Sequence, residues 1–258
     1  MSTPLLIARD LTMRFGGLTA LDSLNLTVYE GEVMGLLGPN GSGKTTFFNV
    51  ITSLYAATSG EIMLAGNDIS KKSPQEVYNH GVTRTFQRSR LSLPLTVFDN
   101  MVIGNYQHLN MGIMFNLFNR SRLRQQYDEM VEKAHTLLHT FNTSLPQKLF
   151  KSTGTLTMID RRRVEICRAL LSSPRLLLLD EPSAGMTHDE TNELMDDILQ
   201  VRGLLEPFTI VIIEHEMNVI QRITDRCAVL NFGQKIAEGT YEQIVADPQV
   251  QIAYLGQE

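Results

Sequence analysis

Residues 38–45 read GPNGSGKT, and this stretch determines the fold predicted around it. It satisfies the Walker A pattern GxxxxGK[ST], which occurs in loops that bind phosphate groups. The apolar run 33–37 precedes it, and a helical pattern begins at Lys44 and continues to about Leu54. The sequence therefore predicts a buried strand, a glycine-rich loop and a helix, in that order.

The residue types of this loop suit the chemistry of a bound phosphate. Gly38, Gly41 and Gly43 allow positive φ and let backbone N–H groups approach a phosphate without a Cβ in the way. The start of the helix adds a partial positive charge, Lys44 adds a full one, and the Thr45 hydroxyl can hold Mg²⁺. The candidate phosphate-binding residues are Gly38, Pro39, Asn40, Gly41, Ser42, Gly43, Lys44, Thr45 and Thr46.

A second element, LLLLDEP at 176–182, places two carboxylates at the end of an apolar strand. Ligands of open α/β sheets bind at that end of the strands. Asp180 would hold Mg²⁺, directly or through water, and Glu181 could orient or deprotonate an attacking water molecule. Because acidic residues are also common in turns and helix caps, this interpretation depends on the Walker A loop upstream.

Beyond these two elements, the hydrophobic patterns predict an α/β fold. Strand patterns in the first 65 residues lie at 5–8, 24–29, 33–37 and 61–64. A helix is predicted to start at Ser73-Pro74, and residues 88–150 contain the stretch MGIMFNLFN and a long charged helical pattern at 121–141. Helix and strand patterns then alternate at 161–171, 176–179, 189–202, 209–213, 216–224 and 227–231. Such alternation predicts a parallel sheet with helices on both faces.

Composition excludes several classes of protein. Of 258 residues, 43% are hydrophobic and 20% are charged, which is close to average globular usage, and the formal net charge is -5. Without a long Lys/Arg run, nucleic acid is not an expected partner. No apolar stretch approaches the roughly 20 residues of a membrane-spanning helix. The first ten residues lack the pattern of a signal peptide, so the chain is expected to stay in the cytosol.

Several other residues receive structural rather than functional interpretations. Cys167 and Cys227 are expected to be buried free thiols. His135 and His139 share a helix face but have no third ligand, so a packed or solvated face is favoured over a metal site. The run 161–163, three consecutive arginines, is expected to be a charged helix face.

Four further pieces, taken with the two phosphate elements, resemble the ATP-binding subunit of an ABC transporter over essentially the whole chain. Gln87 in Thr-Phe-Gln is similar to the Q-loop glutamine, which in the family joins Mg²⁺ and the lytic water to the permease-facing surface. His215 in Ile-Ile-Glu-His resembles the switch histidine that senses the γ-phosphate, and Phe15 resembles the aromatic residue stacked on adenine. Residues 183–187 lie where the D-loop is expected.

This resemblance implies a specific fold and division of the chain. The fold is a RecA-like parallel-sheet P-loop core with an N-terminal antiparallel β subdomain and an inserted α-helical subdomain. The expected boundaries are 1–87 for the first part of the core with the β subdomain, 88–160 for the helical subdomain and 161–258 for the second part of the core.

Within the ABC group, the chain most resembles the larger ATPase subunit of branched-chain, or hydrophobic, amino acid importers. The residues that carry this are MRFGGLTAL, GVTRTFQ, MGIMFNLF, DEPSAGM, VIIEHEM and the ending DPQVQIAYLG. The resemblance implies ATP and Mg²⁺ as cofactors, a second ATPase subunit, transmembrane permeases and, indirectly, a substrate-binding protein as partners. The chain would then lie on the inner face of the membrane. Related urea or amide importers, lipopolysaccharide exporters, soluble ABC ATPases and a regulator with little turnover stay open as alternatives.

One segment departs from the family pattern. The signature, usually LSGGQ, corresponds by its distance from Asp180 to residues 156–160, LTMID, where both glycines and the glutamine are missing. In the family this signature completes the ATP site of the opposite subunit. Thr157 could still supply a hydroxyl, whereas Asp160 is expected to add negative charge near a phosphate. We therefore expect a heterodimer with one competent and one degenerate site.

Overall fold

Two structural units are formed by segments that interleave along the chain. The computed structural model describes residues 3–87, 89–105, 119–205 and 208–255. The first unit comprises Met1–Arg84, Arg175–Pro182 and Glu206–Glu258, and the second comprises Thr85–Pro174 and Ser183–Leu205. The second unit thus includes 161–174 and 183–205, which the expected boundaries assigned to the core. Those boundaries stay a prediction.

The strands found among the described residues all belong to the first unit. In chain order they are β1 (Pro4–Phe15), β2 (Leu18–Tyr29), β3 (Val33–Leu37), β4 (Ser59–Leu64), β5 (Asn67–Asp68), β6 (Val82–Arg84), β7 (Leu176–Asp180), β8 (Thr209–Ile213), β9 (Arg226–Asn231) and β10 (Gln234–Gly239). Among the described residues, the α-helices are α1 (Lys44–Ile51), α2 (Pro74–Asn79), α3 (Val97–Ile103), α4 (Arg120–Phe141), α5 (Met158–Leu170), α6 (His188–Leu204), α7 (Met217–Ile223), α8 (Tyr241–Ala246) and α9 (Pro248–Leu255).

The smaller sheet is antiparallel in its pairings and has the strand order β2-β1-β4-β5. β1 and β2 are longer than the predicted strands at 5–8 and 24–29, since MRFGGLTAL continues them through a hairpin at Gly16 and Gly17. Several register shifts interrupt the β1–β2 pairing, so the alternation of buried and exposed side chains that marks a strand is lost along it.

The larger sheet has the strand order β10-β9-β3-β8-β7-β6, with β10 antiparallel to β9 and the other pairs parallel. Every residue of β3, β7 and β8 is buried, which confirms the predicted parallel sheet. β6 and β10 were not predicted, because β6 has three residues and β10 is a mostly half-exposed edge strand with little apolar signal.

The core of the first unit lies between its sheets and α1. Phe47 and Phe48 on α1 are fully buried and pack in one cluster with residues from both sheets. Burying a Phe or Leu side chain contributes about 1.5–3 kcal/mol relative to leaving it exposed. α2 begins after Ser73 as predicted, and its capping box with Glu76 satisfies the first backbone N–H groups. This core fixes the ends of β3, β7 and β8 relative to one another.

In the described part of the second unit lie α3, α4, α5 and α6 with short 3₁₀ turns. The predicted helix at 121–141 is confirmed by α4, which buries one stripe: Met130, Ala134, Leu137, Leu138 and Phe141. The stretch MGIMFNLF at 111–118 lies outside the described residues. No helix in the described part of the chain is long and apolar enough to span a bilayer.

The arginine run on α5 differs from its predicted structure. Arg162 and Arg163 are buried, so the expectation of a charged, solvated helix face is wrong for these two residues. Acidic partners supply the reason: Arg163 donates to Asp197 at 2.7 Å and to Glu193 at 2.6 Å, both on α6. Arg162 pairs with Glu165 at 2.8 Å. Cys167 and Cys227 are buried free thiols, as expected.

Candidate active site

The Walker A loop connects β3 to α1, as the sequence predicts. Gly38 and Gly43 have φ values of 139° and 108°, in the region that favours glycine. A Cβ on Gly38 would lie 2.1 Å from the Leu230 carbonyl oxygen, and one on Gly43 would lie 2.6 Å from that of Ala20. Both positions therefore require glycine for backbone conformation and for packing.

Two polar groups of the loop fit an anionic ligand. Lys44 is 6% exposed, and its Nζ donates to the carbonyl oxygens of Gly38 at 2.7 Å and Pro39 at 2.9 Å. Burial lowers the pKa of Lys44, while Glu181 and Asp180 oppose that shift. The Ser42 Oγ is buried and has no hydrogen-bond partner among the described residues. A buried cation and an orphaned hydroxyl inside a glycine loop are what a phosphate group would satisfy.

The acidic pair lies at the end of β7. Asp180 is buried, and Glu181 follows it with a φ of 46°, an uncommon conformation for a residue other than glycine. The Glu181 N–H donates to the Ile213 carbonyl at the end of β8, with a distance of 2.9 Å. This bond ties the residue after β7 to the neighbouring strand, which helps to hold Glu181 in its conformation.

His215 lies beside Glu181. The distance from His215 Nε2 to Glu181 Oε1 is 2.7 Å, a hydrogen bond in which the role of Nε2 depends on the tautomer of the imidazole. β3, β8 and β7 are neighbours in the sheet, so their carboxyl ends bring the Walker A loop, His215 and Glu181 to one edge. The structure thus joins residues that are more than 130 positions apart in the sequence.

These residues line a cleft of about 340 Å³. Phe15 lies at this cleft, 43% exposed, with its ring centroid 5.3 Å from that of Tyr55 in an edge-on contact. Phe232, which the sequence did not single out, also lines it and is 83% exposed. Exposed aromatic faces of this kind are suited to stack on a planar base. The lining residues are Phe15, Leu18, Thr19, Ala20, Asn40, Gly41, Ser42, Gly43, Lys44, Thr45, Thr46, Glu181, His215 and Phe232.

The other predicted site residues belong to the second unit. The Gln87 carbonyl accepts a hydrogen bond from Arg162 Nη2 at 3.1 Å. Thr157 is the N-cap of α5, where its hydroxyl accepts from the Asp160 N–H at 3.3 Å. The helix thus begins at Met158, three residues before the predicted helical pattern at 161–171.

Asp160 pairs with two basic side chains. Its carboxylate lies 2.8 Å from Lys148 Nζ and 3.2 Å from Arg163 Nη1 and is buried. The expected negative charge at Asp160 is therefore offset in part, since Arg163 also pairs with Glu193 and Asp197, and its effect on a phosphate of the opposite subunit stays a prediction. Met158 and Ile159 in place of the glycines, and Asp160 in place of the glutamine, distinguish this segment from an intact signature.

Two contacts of the site were not foreseen from sequence. Arg84 at the end of β6 lies 2.6 Å from the Asp180 carboxylate, a pairing of residues 96 positions apart. Tyr254 on α9 accepts a hydrogen bond from the Gly38 N–H at 2.9 Å. The sequence offered two weak signals for these contacts: Arg84 is a charged residue near an apolar segment, and Tyr254 lies in the ending AYLG. Neither signal identifies the residue that it contacts.

Replacing Tyr254 with phenylalanine should weaken ATP binding by about 2- to 10-fold, the value of one hydrogen bond of about 0.5–1.5 kcal/mol. The Gly38 N–H would lose its acceptor, and the first residue of the loop would be held less firmly. Calorimetric titration of the purified chain with ATP measures the effect. Ile252→Ala, at an exposed position of the same helix, is the matched control. Equal affinity of Tyr254→Phe and the unsubstituted chain would contradict this role.

The strand–loop–helix with its buried lysine, followed at the same sheet edge by an acidic pair, defines a P-loop nucleotide-binding protein. The sequence model of the ABC transporter family matches residues 21–184. A second model, for branched-chain amino acid ATP-binding cassette transporters, matches residues 234–258. The chain belongs to the ABC transporter family, whose ATP-binding cassettes are ATPases coupled to transport.

Individual relatives match over the full length of the chain. BraF of Pseudomonas aeruginosa, a high-affinity branched-chain amino acid transport ATP-binding protein, is 40% identical over 257 residues, with 100% of both chains covered. LivG of Escherichia coli, described in the same terms, is 39% identical with the same coverage. The crystal structure of the ADP conformation of MJ1267, an ATP-binding cassette of an ABC transporter, has a TM-score of 0.85 at 30% identity and covers 99% of this chain and 100% of that one. The predicted family and fold class are confirmed.

Proposed function

We propose that this chain is the ATPase subunit that powers import of branched-chain amino acids. The observation that carries the ATPase chemistry is the convergence of Lys44, Glu181 and His215 at one sheet edge. Full-length similarity to transport proteins named for branched-chain amino acids, together with the match of 234–258 to that subfamily, supports the cargo.

In this proposal the Walker A loop binds the phosphates of ATP and Phe15 stacks on adenine. Loop N–H groups and Lys44 would contact the phosphate oxygens, and the free Ser42 hydroxyl would gain a partner there. Thr45, Asp180 and Gln87 would hold Mg²⁺, and the side chains of all three offer the oxygen atoms that this ion prefers. Bound Mg²⁺ would neutralise charge on the phosphates and so favour attack on the γ-phosphorus.

Glu181 is proposed as the general base for hydrolysis. As the water oxygen forms its bond to the γ-phosphorus, the bond from phosphorus to the β–γ bridging oxygen breaks, and the water proton passes to the Glu181 carboxylate. His215 forms a hydrogen bond with the same carboxylate and would hold it in place near the γ-phosphate. The products are ADP and inorganic phosphate.

The proposed assembly contains a second, smaller ATPase, permease subunits and an external substrate-binding protein. Names such as transport ATP-binding protein among the relatives support a separate membrane partner. The chain would bind the permeases at the inner face of the membrane through the region of about 88–150, which follows Gln87. It would also complete the nucleotide site of the partner ATPase with Thr157 and its neighbours.

Reconstitution tests the cargo. The chain would be assembled with its cognate permeases, second ATPase and binding protein in liposomes, and uptake of labelled leucine, urea and an amide would be compared with and without ATP. We expect ATP-dependent uptake of leucine. ATP-driven uptake of urea or the amide alone would leave the ATPase assignment standing and overturn the cargo, whereas absence of ATP turnover would overturn both.

Gln87→Ala should lower the number of substrate molecules moved per ATP hydrolysed several-fold, a larger effect than its loss of ATP affinity. The reason is that Gln87 is one of three proposed metal ligands but is the one that links the metal to the permease-facing surface. Simultaneous measurement of uptake and phosphate release in the liposomes gives the ratio. Gln125→Ala, on the exposed face of α4, serves as control. A fall in both activities in strict proportion to ATP affinity would show that Gln87 has no coupling role.

A further inference from the structure

Arg84 ends β6 with a side chain that is only 5% exposed. Its Nη2 lies 2.6 Å from Oδ2 of Asp180, which is equally buried. Its Nη1 donates to Asn49 Oδ1 on α1 at 2.7 Å, and the guanidinium carbon lies 5.3 Å from the centroid of the Phe48 ring. One guanidinium therefore links β6, the acidic end of β7 and the helix that starts at Lys44.

The planar side chain of arginine fixes the angle between the two acceptors in this link. A planar guanidinium presents several N–H donors in a fixed fork, so it can hold two acceptors at a set angle, whereas a lysine ammonium acts as a point charge. Burying such a cation carries a desolvation cost that only good partners offset. In this pair Arg84 Nη2 engages Oδ2 of the Asp180 carboxylate.

We propose that Arg84 is a positioning residue for the metal that accompanies ATP. It fixes the rotation of the Asp180 carboxylate so that Oδ1 is presented to the cation, and it couples that orientation to α1 through Asn49. The proposal rests on the proposed function of Asp180 as a magnesium ligand. Loss of the fork should therefore weaken the metal-dependent part of ATP binding and leave the metal-independent part.

Arg84→Lys is the informative substitution because it keeps the charge and removes the fork. The affinity of the purified chain for ATP would be measured by calorimetry in Mg²⁺ and in EDTA, and Mn²⁺ binding to the ATP complex would be followed by electron paramagnetic resonance. Loss of an outer-shell partner lowers metal affinity by about 10- to 100-fold, so we expect a shift of about tenfold in Mn²⁺ affinity. ATP affinity in EDTA should stay within about twofold, since the fork makes no proposed contact with the nucleotide.

Two further variants serve as a control and as a second test of the role of Arg84. Arg9→Lys, at an exposed arginine of the same unit, controls for loss of a guanidinium with the charge retained. Asn49→Ala removes only the anchor on α1; it should shift Mn²⁺ affinity in the same direction by less, and it carries the test if Arg84→Lys does not fold. Unchanged Mn²⁺ affinity, or equal losses of ATP affinity in Mg²⁺ and in EDTA, would overturn the positioning role.

Asp180→Asn distinguishes failure of the proposed role of Arg84 from failure of the proposed role of Asp180 as a magnesium ligand. If Asp180→Asn weakens Mn²⁺ binding while Arg84→Lys does not, Asp180 is a metal ligand and only the role of Arg84 fails. If neither substitution changes metal binding, the assignment of Asp180 to Mg²⁺ fails, and the proposal for Arg84 fails with it.

Discussion

Lys44→Ala should remove tight ATP binding, with a loss of at least about a hundredfold in affinity. Hydrogen bonds to charged groups contribute about 1.5–3 kcal/mol each, and the lysine is proposed to reach both the β- and the γ-phosphate. Its buried Nζ is held by two carbonyl oxygens of the loop, so the cation is already placed where a phosphate would bind. Titration with ATP by calorimetry measures the loss.

Lys72→Ala is the matched control for Lys44→Ala. Lys72 lies in the same unit, and its exposed ammonium pairs with Glu76 at 3.4 Å. ATP affinity should not change in this variant, because a surface pair of this kind contributes little. A thermal melt of both variants checks that the fold is retained. Unaltered ATP affinity in Lys44→Ala would refute the assignment of the loop to phosphate binding.

Glu181→Gln should retain ATP binding and lower hydrolysis by about 10²- to 10⁴-fold, the range for loss of a general base. The carboxamide has nearly the same shape and can still form the hydrogen bond with His215, so the cleft should keep its geometry. It cannot accept the proton of the attacking water at neutral pH. Phosphate release by the assembled complex measures the change, with Glu61→Gln at an exposed position of β4 as control.

The same substitution tests the predicted asymmetry of the dimer. Glu181→Gln in this chain should nearly abolish hydrolysis by the complex, whereas the equivalent change in the partner ATPase should leave much of it. The asymmetry is expected because the side chains of Met158 and Ile159 keep the backbone from approaching a phosphate as glycines would. Asp160 adds negative charge that Lys148 and Arg163 offset in part. Equal losses from the two substitutions would contradict the asymmetry.

Local patterns in the sequence were sufficient to predict the parts of the site that depend on short segments. The Walker A loop and the acidic pair each lie within eight residues, and the apolar strands before them fix their place in the sheet. Pairings between distant segments could not be predicted this way. Arg84 and Asp180 are an example, because nothing in either segment specifies the other.

The sequence did not reveal which charged side chains are buried. Consecutive arginines at 161–163 indicate an exposed face when the helix is considered alone. In the folded unit, Arg163 is buried because Glu193 and Asp197 on α6 supply its counter-charges from 30 and 34 residues away. Whether a charged side chain is solvated thus depends on tertiary neighbours that periodicity does not reveal.

The glycines of the Walker A loop are required for two different physical reasons. At positions 38 and 43 a side chain would collide with backbone oxygens of β9 and β2, whereas at Gly41 nothing lies within 4 Å of an added Cβ. Two of the three glycines are therefore determined by the scaffold around the loop, and the third by its own backbone angle and by what binds there. If the loop were transplanted into an unrelated protein, its sequence motif would be unchanged, but the steric contacts that require glycine at positions 38 and 43 would be lost.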